Sequence, residues 1–149
     1  MAKKKAVIFD LDGTLAEIEH RVPHVRRDPP DWKNFCERIP DDTLNDWCFE
    51  LAGAMADRGY KIIIVTGRGE RYNDLTRQWL RKHNVVYDHI FSRKSKDRRN
   101  DSEVKKEIYE RDIKDHFDVL FVVDDRASVV KMWRDELHLV TLQCDWGNF

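Results

Sequence analysis

Hydrophobic residues along the chain form short, nearly unbroken runs, which alternate with segments where apolar residues recur every three or four positions. Unbroken runs rich in β-branched residues are typical of buried strands, and the longer spacing is typical of helices. The runs predict strands at residues 6–10, 61–65, 88–91, 119–123 and 139–143. The periodic segments predict helices over residues 44–55, 74–83 and 102–113, and a fourth with Val129, Val130 and Trp133 facing inward. Strands that alternate with helices predict an α/β domain with a mostly parallel sheet.

Polar residues and a glycine mark the ends of two predicted helices. Asp42 or Thr43 can cap the first helix, and Gly59 can end it. Ser102 can cap the third helix.

The segment 16–41 departs from this alternation because it holds all four prolines, many charges and little periodicity. We interpret it as a flap or cap insertion that covers one end of the sheet, with a short helix around residues 32–38. Its length of about 25 residues is roughly half the lower limit for an independent domain. We therefore expect one domain over residues 1–149, without a large cap domain.

Composition narrows the class of protein. The formal net charge is −1, so no global basic excess indicates a nucleic-acid partner. Three cysteines without paired spacing favour reduced thiols over a disulfide framework or a zinc site. No segment approaches the ~20 apolar residues of a membrane span. We expect no membrane association and a cytoplasmic location, or the host cytoplasm if a phage encodes the protein.

Polar side chains follow the three strongest strands at the point where each strand ends, in the sequences Asp10-Leu11-Asp12, Thr66-Gly67-Arg68 and Asp124-Asp125-Arg126. The carboxyl ends of parallel strands meet at one edge of a sheet, which is where ligands bind in open α/β folds. We therefore expect these side chains to lie close together.

The residue types at this edge suit phosphoryl transfer. Asp10 and Asp12 lie on one side of their strand, and two close carboxylates repel each other unless a cation or a proton lies between them. Gly13 permits a sharp turn, and Thr14 adds a hydroxyl donor. The acidic pair 124–125 suits Mg²⁺. An Asx turn after the strand would explain Asp10 and Asp12 alone. Capping of the following helix would explain one of the two acids at 124–125. Neither explains why both acidic pairs occur at the same edge.

Four sequence motifs are similar to those of the haloacid-dehalogenase-like (HAD) phosphohydrolases: VIFDLDGTLA, IIIVTGR, Lys105 and VVDDR, in that order. The resemblance implies a Rossmann-like three-layer sandwich. It also implies Asp10 as the nucleophile and Asp12 as the general acid and base. Thr66 and Lys105 would bind the transferring phosphoryl group. Mg²⁺ would bind Asp10, the backbone carbonyl of Asp12, and Asp124.

A closer resemblance covers most of the chain outside the insertion. The stretches NDSEVKKEIY, HFDVLFVVDDRASVVKMWR and QCDWGNF resemble the 3′-phosphatase domains of bacteriophage polynucleotide kinase/phosphatases. By position this implies Arg21, Arg68 and Asp101 as further residues near the substrate and Asp125 beside the metal. We also expect Thr14 and Gly67, which belong to the polar segments at this edge, to lie near the substrate. The implied substrates are the 3′ ends of nucleic acids or 3′-nucleotides, with a separate kinase or ligase as a partner. The chain contains no GxxxxGK[ST] motif, so we expect no P-loop kinase activity.

Some interpretations stay open on sequence alone. The basic run 93–99 either contacts a nucleic-acid backbone or is a solvated loop. Trp32 and Trp146 either stack on a base or pack against the protein, and we favour packing. Two other functions are hydrolysis of a small non-nucleotide phosphate ester and binding of nucleic-acid ends with a vestigial site.

Overall fold

The structure is a computed structural model that describes residues 2–147. Its strands are β1 (Lys4–Phe9), β2 (Ala16–Glu17), β3 (Thr43–Leu44), β4 (Lys61–Gly69), β5 (His89–Arg93), β6 (Phe117–Asp124) and β7 (Thr141–Gln143). Five of them form a parallel sheet in the order β5-β4-β1-β6-β7, and β2 pairs antiparallel with β3 outside it. The end of the QCDWGNF segment, Asn148 and Phe149, lies outside the described residues.

Residues 2–147 contain six α-helices, of which the first two lie in the insertion. They are α1 (Pro23–Arg26), α2 (Trp32–Glu37), α3 (Asp46–Asp57), α4 (Asn73–Lys82), α5 (Asp101–Ile108) and α6 (Ala127–Lys131). The last two continue as π-helical turns over Tyr109–Ile113 and Met132–Glu136. Short 3₁₀ turns lie at Ile39–Asp41 and Glu70–Tyr72.

The central strands are buried on both faces, as their unbroken apolar runs predict. Alternate residues of β1 and β4 point into two separate cores. Phe9 and Ile64 join the core that contains Trp79, whereas Ile8 joins the core that contains Trp133. The predicted three-layer α/β architecture with a mostly parallel sheet is therefore confirmed.

The helix predicted from residue 44 is shorter than expected. Leu44 lies in β3, where it pairs with Ala16, and α3 begins only at Asp46. The predicted caps Asp42 and Thr43 are therefore wrong. Asn45 precedes the helix instead, but its side chain accepts no hydrogen bond from the helix N–H groups and donates to the carbonyl oxygen of Thr14. Long-range strand pairing here overrides a local helical spacing.

Smaller differences occur at two other element ends. The helix that Ser102 was expected to cap already begins at Asp101, so Ser102 lies inside it. The last strand was predicted to begin at residue 139 but begins at Thr141.

The insertion 16–41 is folded onto the domain. It begins with β2, carries α1 and the predicted short helix α2, and ends in the 3₁₀ turn before β3. Val22, Phe35 and Ile39 from this segment are buried in the core that contains Trp79. The segment therefore has a fixed position relative to the sheet edge, and its function as a flap stays a prediction.

Several surface expectations are settled by side-chain exposure. Trp146 is 84% exposed, so the expectation that it packs against the protein is wrong, whereas Trp32 packs edge-on against Phe35 although it is 57% exposed. The cysteines Cys36, Cys48 and Cys144 are free thiols that are buried or half-buried, as predicted. Among residues 2–147, no helix combines the length and the apolar character needed to cross a bilayer.

Candidate active site

The carboxyl ends of β1, β4 and β6 meet at one edge of the sheet and deliver the predicted polar residues there. Asp10 follows β1, and its N–H donates to the carbonyl oxygen of Val123 on β6 at 3.0 Å. Asp124 ends β6, where its carboxylate accepts from the indole N–H of Trp133 at 3.2 Å. Backbone pairing and a buried tryptophan therefore hold both acids in place.

Three buried carboxylates, which we call the acidic cluster, belong to Asp10, Asp124 and Asp125. One oxygen from each lies within 4.8 Å of the others. Burial, and then the charge of Asp124, raise the pKa of Asp10 well above its usual value. Burial also raises the pKa of Asp125 to about 6. The cluster therefore needs positive charge to stay fully ionised.

Lys105 on α5 supplies part of that charge. Its Nζ donates to Asp10 Oδ1 at 2.9 Å and to Asp124 Oδ2 at 2.8 Å, and the side chain is buried. Burial would lower the pKa of Lys105, but the charges of Asp10 and Asp124 outweigh it and raise that pKa. One ammonium group cannot balance three carboxylates.

The donor set fits a hard divalent cation. The Oδ1 atom of Asp125 is buried and has no hydrogen-bond partner among the described residues. Carboxylate oxygens are the ligands that Mg²⁺ prefers. The side chain of Asp12 lies outside the acidic cluster, so only its backbone carbonyl stays predicted as a ligand.

Asp12 lies instead between two buried arginines. Arg21 from the insertion donates to Asp12 Oδ1 at 2.5 Å, and Arg68 donates to the same oxygen at 2.6 and 3.0 Å. Burial would raise the pKa of Asp12, but the charges of Arg68 and Arg21 outweigh it and hold that pKa well below its usual value. The two acids of the first motif therefore have opposite electrostatic environments.

Asp42 is a site residue that sequence reasoning assigned wrongly to a helix cap. It is 3% exposed and accepts hydrogen bonds from Arg21 at 2.7 and 2.8 Å and from Arg68 at 3.3 Å. His20 also bonds to it at 2.7 Å. Two buried arginines need more negative charge than Asp12 provides, and that imbalance was the available signal for a second acid.

The predicted hydroxyl and glycine residues have distinct positions. Thr14 is buried, and its hydroxyl donates to Asp10 Oδ2 at 3.4 Å. The Thr66 hydroxyl accepts from the backbone N–H of Arg68 at 3.1 Å. A Cβ at Gly67 would lie 2.5 Å from Asp101 Oδ1, so glycine permits the close approach of that carboxylate.

Asp101 joins two arginines that were not predicted as site residues. Its Oδ1 accepts from Arg93 at 2.5 Å, and its Oδ2 accepts from Arg126 at 2.8 Å. Asp101 therefore holds two guanidinium groups beside Gly67. Arg93 lies in the basic run of the sequence, which was a weak signal for it.

The structure brings all predicted site residues to one edge of the sheet: Asp10, Asp12, Thr14, Arg21, Thr66, Gly67, Arg68, Asp101, Lys105, Asp124 and Asp125. The edge combines the acidic cluster with a second, separately held carboxylate and several buried cations. Such a set can position a phosphate, attack it and move a proton. The role of each residue stays a prediction.

Comparisons with known proteins agree with this chemistry. A family model described as the phosphatase domain of the polynucleotide kinase PNKP matches residues 4–149. The chain is 29% identical over 133 residues to a protein of Autographa californica nuclear polyhedrosis virus, predicted to be a bifunctional polynucleotide kinase/RNA ligase. That match covers 88% of this chain and 18% of the viral protein.

Solved structures that share the fold of this chain include phosphatases and a repair-complex protein. A chain in the structure of the Pnkp1/Rnl/Hen1 RNA repair complex is 35% identical with a TM-score of 0.88, over 99% of this chain and 44% of that one. A class C acid phosphatase from Bacillus anthracis shares the fold, at 15% identity and a TM-score of 0.66, over 98% of this chain and 70% of that one. This chain spans less than half the length of the viral protein and of the repair-complex chain.

The acidic cluster predicts an unusual response of stability to pH. Because the folded pKa of Asp125 is raised to about 6, the metal-free native state binds protons there that the unfolded chain does not. The stability that this protonation contributes is therefore fully present below the pKa of an unfolded aspartate. It is lost as the pH rises through about 6. In EDTA near pH 7.5, we expect Asp125→Asn to raise the Tm by roughly 3 °C or more.

The same gain should shrink near pH 5, where protonation relieves the repulsion in the wild type. Added Mg²⁺ should raise the Tm of the wild type more than that of the variant. Asp118→Asn, an exposed change on β6, the strand that Asp125 follows, is the control. Thermal unfolding at both pH values measures this. A gain that persists at pH 5, or an equal response to Mg²⁺, would contradict the account.

Proposed function

The chain belongs to the family of polynucleotide kinase PNKP phosphatase domains, and we propose that it removes 3′-phosphates from nucleic-acid ends or from nucleoside 3′-monophosphates. Membership of this family makes it a HAD-type phosphatase domain. The observation that carries the proposed chemistry is the separation of two neighbouring carboxylates, Asp10 beside Lys105 and Asp12 beside Arg68. One acid can react with phosphorus while the other handles a proton.

Asp10 is the proposed nucleophile. Lys105 fixes one of its oxygens and favours the ionised form, which is the form that attacks. Its carboxylate forms a bond to phosphorus while the bond from phosphorus to the 3′ oxygen breaks. The products of this step are a phosphorylated Asp10 and a free 3′-hydroxyl group.

Asp12 is the proposed general acid and base. A bound phosphate dianion brings negative charge to the edge and opposes the arginines, so the pKa of Asp12 rises and the group can carry a proton. Asp12 gives that proton to the departing 3′ oxygen. It then takes a proton from water, whose oxygen attacks the phosphorus on Asp10 and releases inorganic phosphate.

The cations at the edge bind the phosphoryl oxygens in this scheme. Lys105 lies closest to Asp10, and the Thr66 hydroxyl lies on the neighbouring strand. Arg21 and Arg68 can exchange part of their contact with Asp12 for contact with the phosphate. Charge-assisted hydrogen bonds to a transferring phosphoryl group provide much of the rate enhancement in such reactions.

Mg²⁺ is the proposed cofactor. The residues that would hold it are Asp10, Asp124 and Asp125, together with the backbone carbonyl of Asp12. A bound Mg²⁺ neutralises charge between the attacking carboxylate and the phosphate. The support for this site is the unbalanced charge of the acidic cluster and the unpaired Oδ1 of Asp125.

The relatives suggest a setting for this activity. One is predicted to join kinase and RNA ligase functions in one chain, and another is part of an RNA repair complex. We propose that this domain prepares 3′ ends for a kinase and a ligase. Those activities would lie on separate proteins or on further parts of a longer chain.

Oligonucleotides with a single terminal phosphate test the proposed function. We expect inorganic phosphate to be released with Mg²⁺ from a 3′-phosphorylated oligonucleotide, and not from the same sequence phosphorylated at the 5′ end. Asp10→Asn should lower kcat by at least about 10³-fold, because the amide is not nucleophilic. Release only from small non-nucleotide esters would keep the mechanism and contradict the substrate. Tight binding without any release would indicate a vestigial site.

Asp42 generates a second prediction through its contacts with Arg21 and Arg68. In Asp42→Asn the two guanidinium groups face Asp12 alone, so Asp12 holds a proton less readily. We expect kcat for a 3′-phosphorylated oligonucleotide to fall by at least about tenfold. The loss should be smaller for an aryl phosphate, whose good leaving group needs little protonation.

The exposed neighbour Asp41→Asn is the matched control and should change neither substrate by more than about twofold. The pH dependence of kcat provides an independent reading, because its basic limb should move to lower pH in Asp42→Asn. Equal losses on both substrates with an unchanged pH profile would mean that Asp42 is only structural.

A further inference from the structure

The loop between β5 and α5, which we call the β5–α5 loop (residues 94–100), is built around one guanidinium group. Arg93 donates to the carbonyl oxygens of Gly67 at 2.8 Å, Asp97 at 3.1 Å and Arg99 at 2.6 Å. It also donates to Asp101. These contacts tie the loop to β4 directly beside Thr66 and Arg68, so its position relative to the candidate active site is fixed.

Three cations of this loop point outward. Lys94, Lys96 and Arg98 are exposed, and within residues 2–147 none of them forms a salt bridge. The other two basic residues of the run are used internally. Arg93 binds inside the loop, and Arg99 pairs with Asp97 and Glu107.

The side of the candidate active site that lies away from the β5–α5 loop is negatively charged. A cavity of about 160 Å³ lies between Gly13, Asp125 and the insertion. Its lining includes four acidic residues, Glu17, Glu19, Asp125 and Asp145. Arg26 is the one basic residue among the described residues that line it. A chain of phosphates would be repelled from this side and attracted to the β5–α5 loop.

We propose that the β5–α5 loop binds the sugar-phosphate backbone of a single polynucleotide strand, through Lys94, Lys96 and Arg98. This inference rests on the proposed function, since it places the terminal 3′-phosphate at Asp10. The strand then runs from the site in the 5′ direction over the loop, away from the acidic cavity. The loop thereby favours polynucleotide ends over mononucleotides.

The triple variant Lys94→Ala/Lys96→Ala/Arg98→Ala tests the loop. A control variant, Arg58→Ala/Lys82→Ala/Lys114→Ala, removes three exposed cations that form no salt bridge with any described residue and lie near the amino-terminal ends of the strands. The substrates are a 3′-phosphorylated single-stranded hexanucleotide and a nucleoside 3′-monophosphate. We expect the loop variant to lower the ratio of kcat/KM for the hexanucleotide to kcat/KM for the mononucleotide by about tenfold. The control variant should leave this ratio unchanged.

Salt dependence provides a second reading of the same contacts. Removing three contacts to single-stranded phosphates should make the plot of log(kcat/KM) against log[salt] for the hexanucleotide shallower by about two. An unchanged slope and an unchanged substrate ratio would overturn the proposal. An equal loss in the control variant would overturn it as well.

Binding measurements separate this proposal from the proposed function. Fluorescence anisotropy in the Asp10→Asn background reports the Kd of the labelled hexanucleotide without turnover. The loop variant should raise that Kd by about tenfold, whereas the control should not. If the wild type releases no phosphate from either substrate, the proposed function fails, and the two Kd values still decide the role of the loop.

Discussion

Mutual repulsion of three buried carboxylates is the constraint on which the rest of the site depends. Asp10, Asp124 and Asp125 are brought together because parallel strands end at one edge, and burial makes their charges costly. Lys105 enters from α5 to bridge two of them. We propose that the remaining negative charge attracts Mg²⁺ and thereby a phosphate, so the geometry that costs stability in the free protein would serve the reaction.

A second charge network keeps Asp12, the proposed general acid and base, apart from this cluster. Asp12 and Asp42 alternate with Arg21 and Arg68 in a buried group, in which each arginine contacts both acids. Arg21 comes from the insertion and Asp42 directly follows it, so the folding of 16–41 onto the core also completes the site. The insertion therefore contributes to the candidate active site although it has no hydrophobic core of its own.

The sequence predicted those features of the fold and the site that follow from the hydrophobic pattern of the strands. Unbroken apolar runs located β1, β4 and β6, and the polar residues after them predicted the edge where Asp10 and Asp124 meet. Arg21 was reached only through family resemblance. Asp42 was missed because its local context is that of a helix cap, whereas its real partners lie 21 and 26 positions away. The exposure of Trp32 likewise depends on how the insertion folds, which no local pattern contains.

The central claim is that Asp10 becomes phosphorylated while Asp12 only moves protons. Trapping the intermediate tests it most directly. The enzyme is quenched during turnover of a 3′-phosphorylated oligonucleotide with Mg²⁺, treated with borohydride and analysed by peptide mass spectrometry. Reduction of an aspartyl phosphate leaves homoserine, and the account predicts it at position 10 alone. Homoserine at position 12, or turnover with no modified aspartate at either position, would contradict the account.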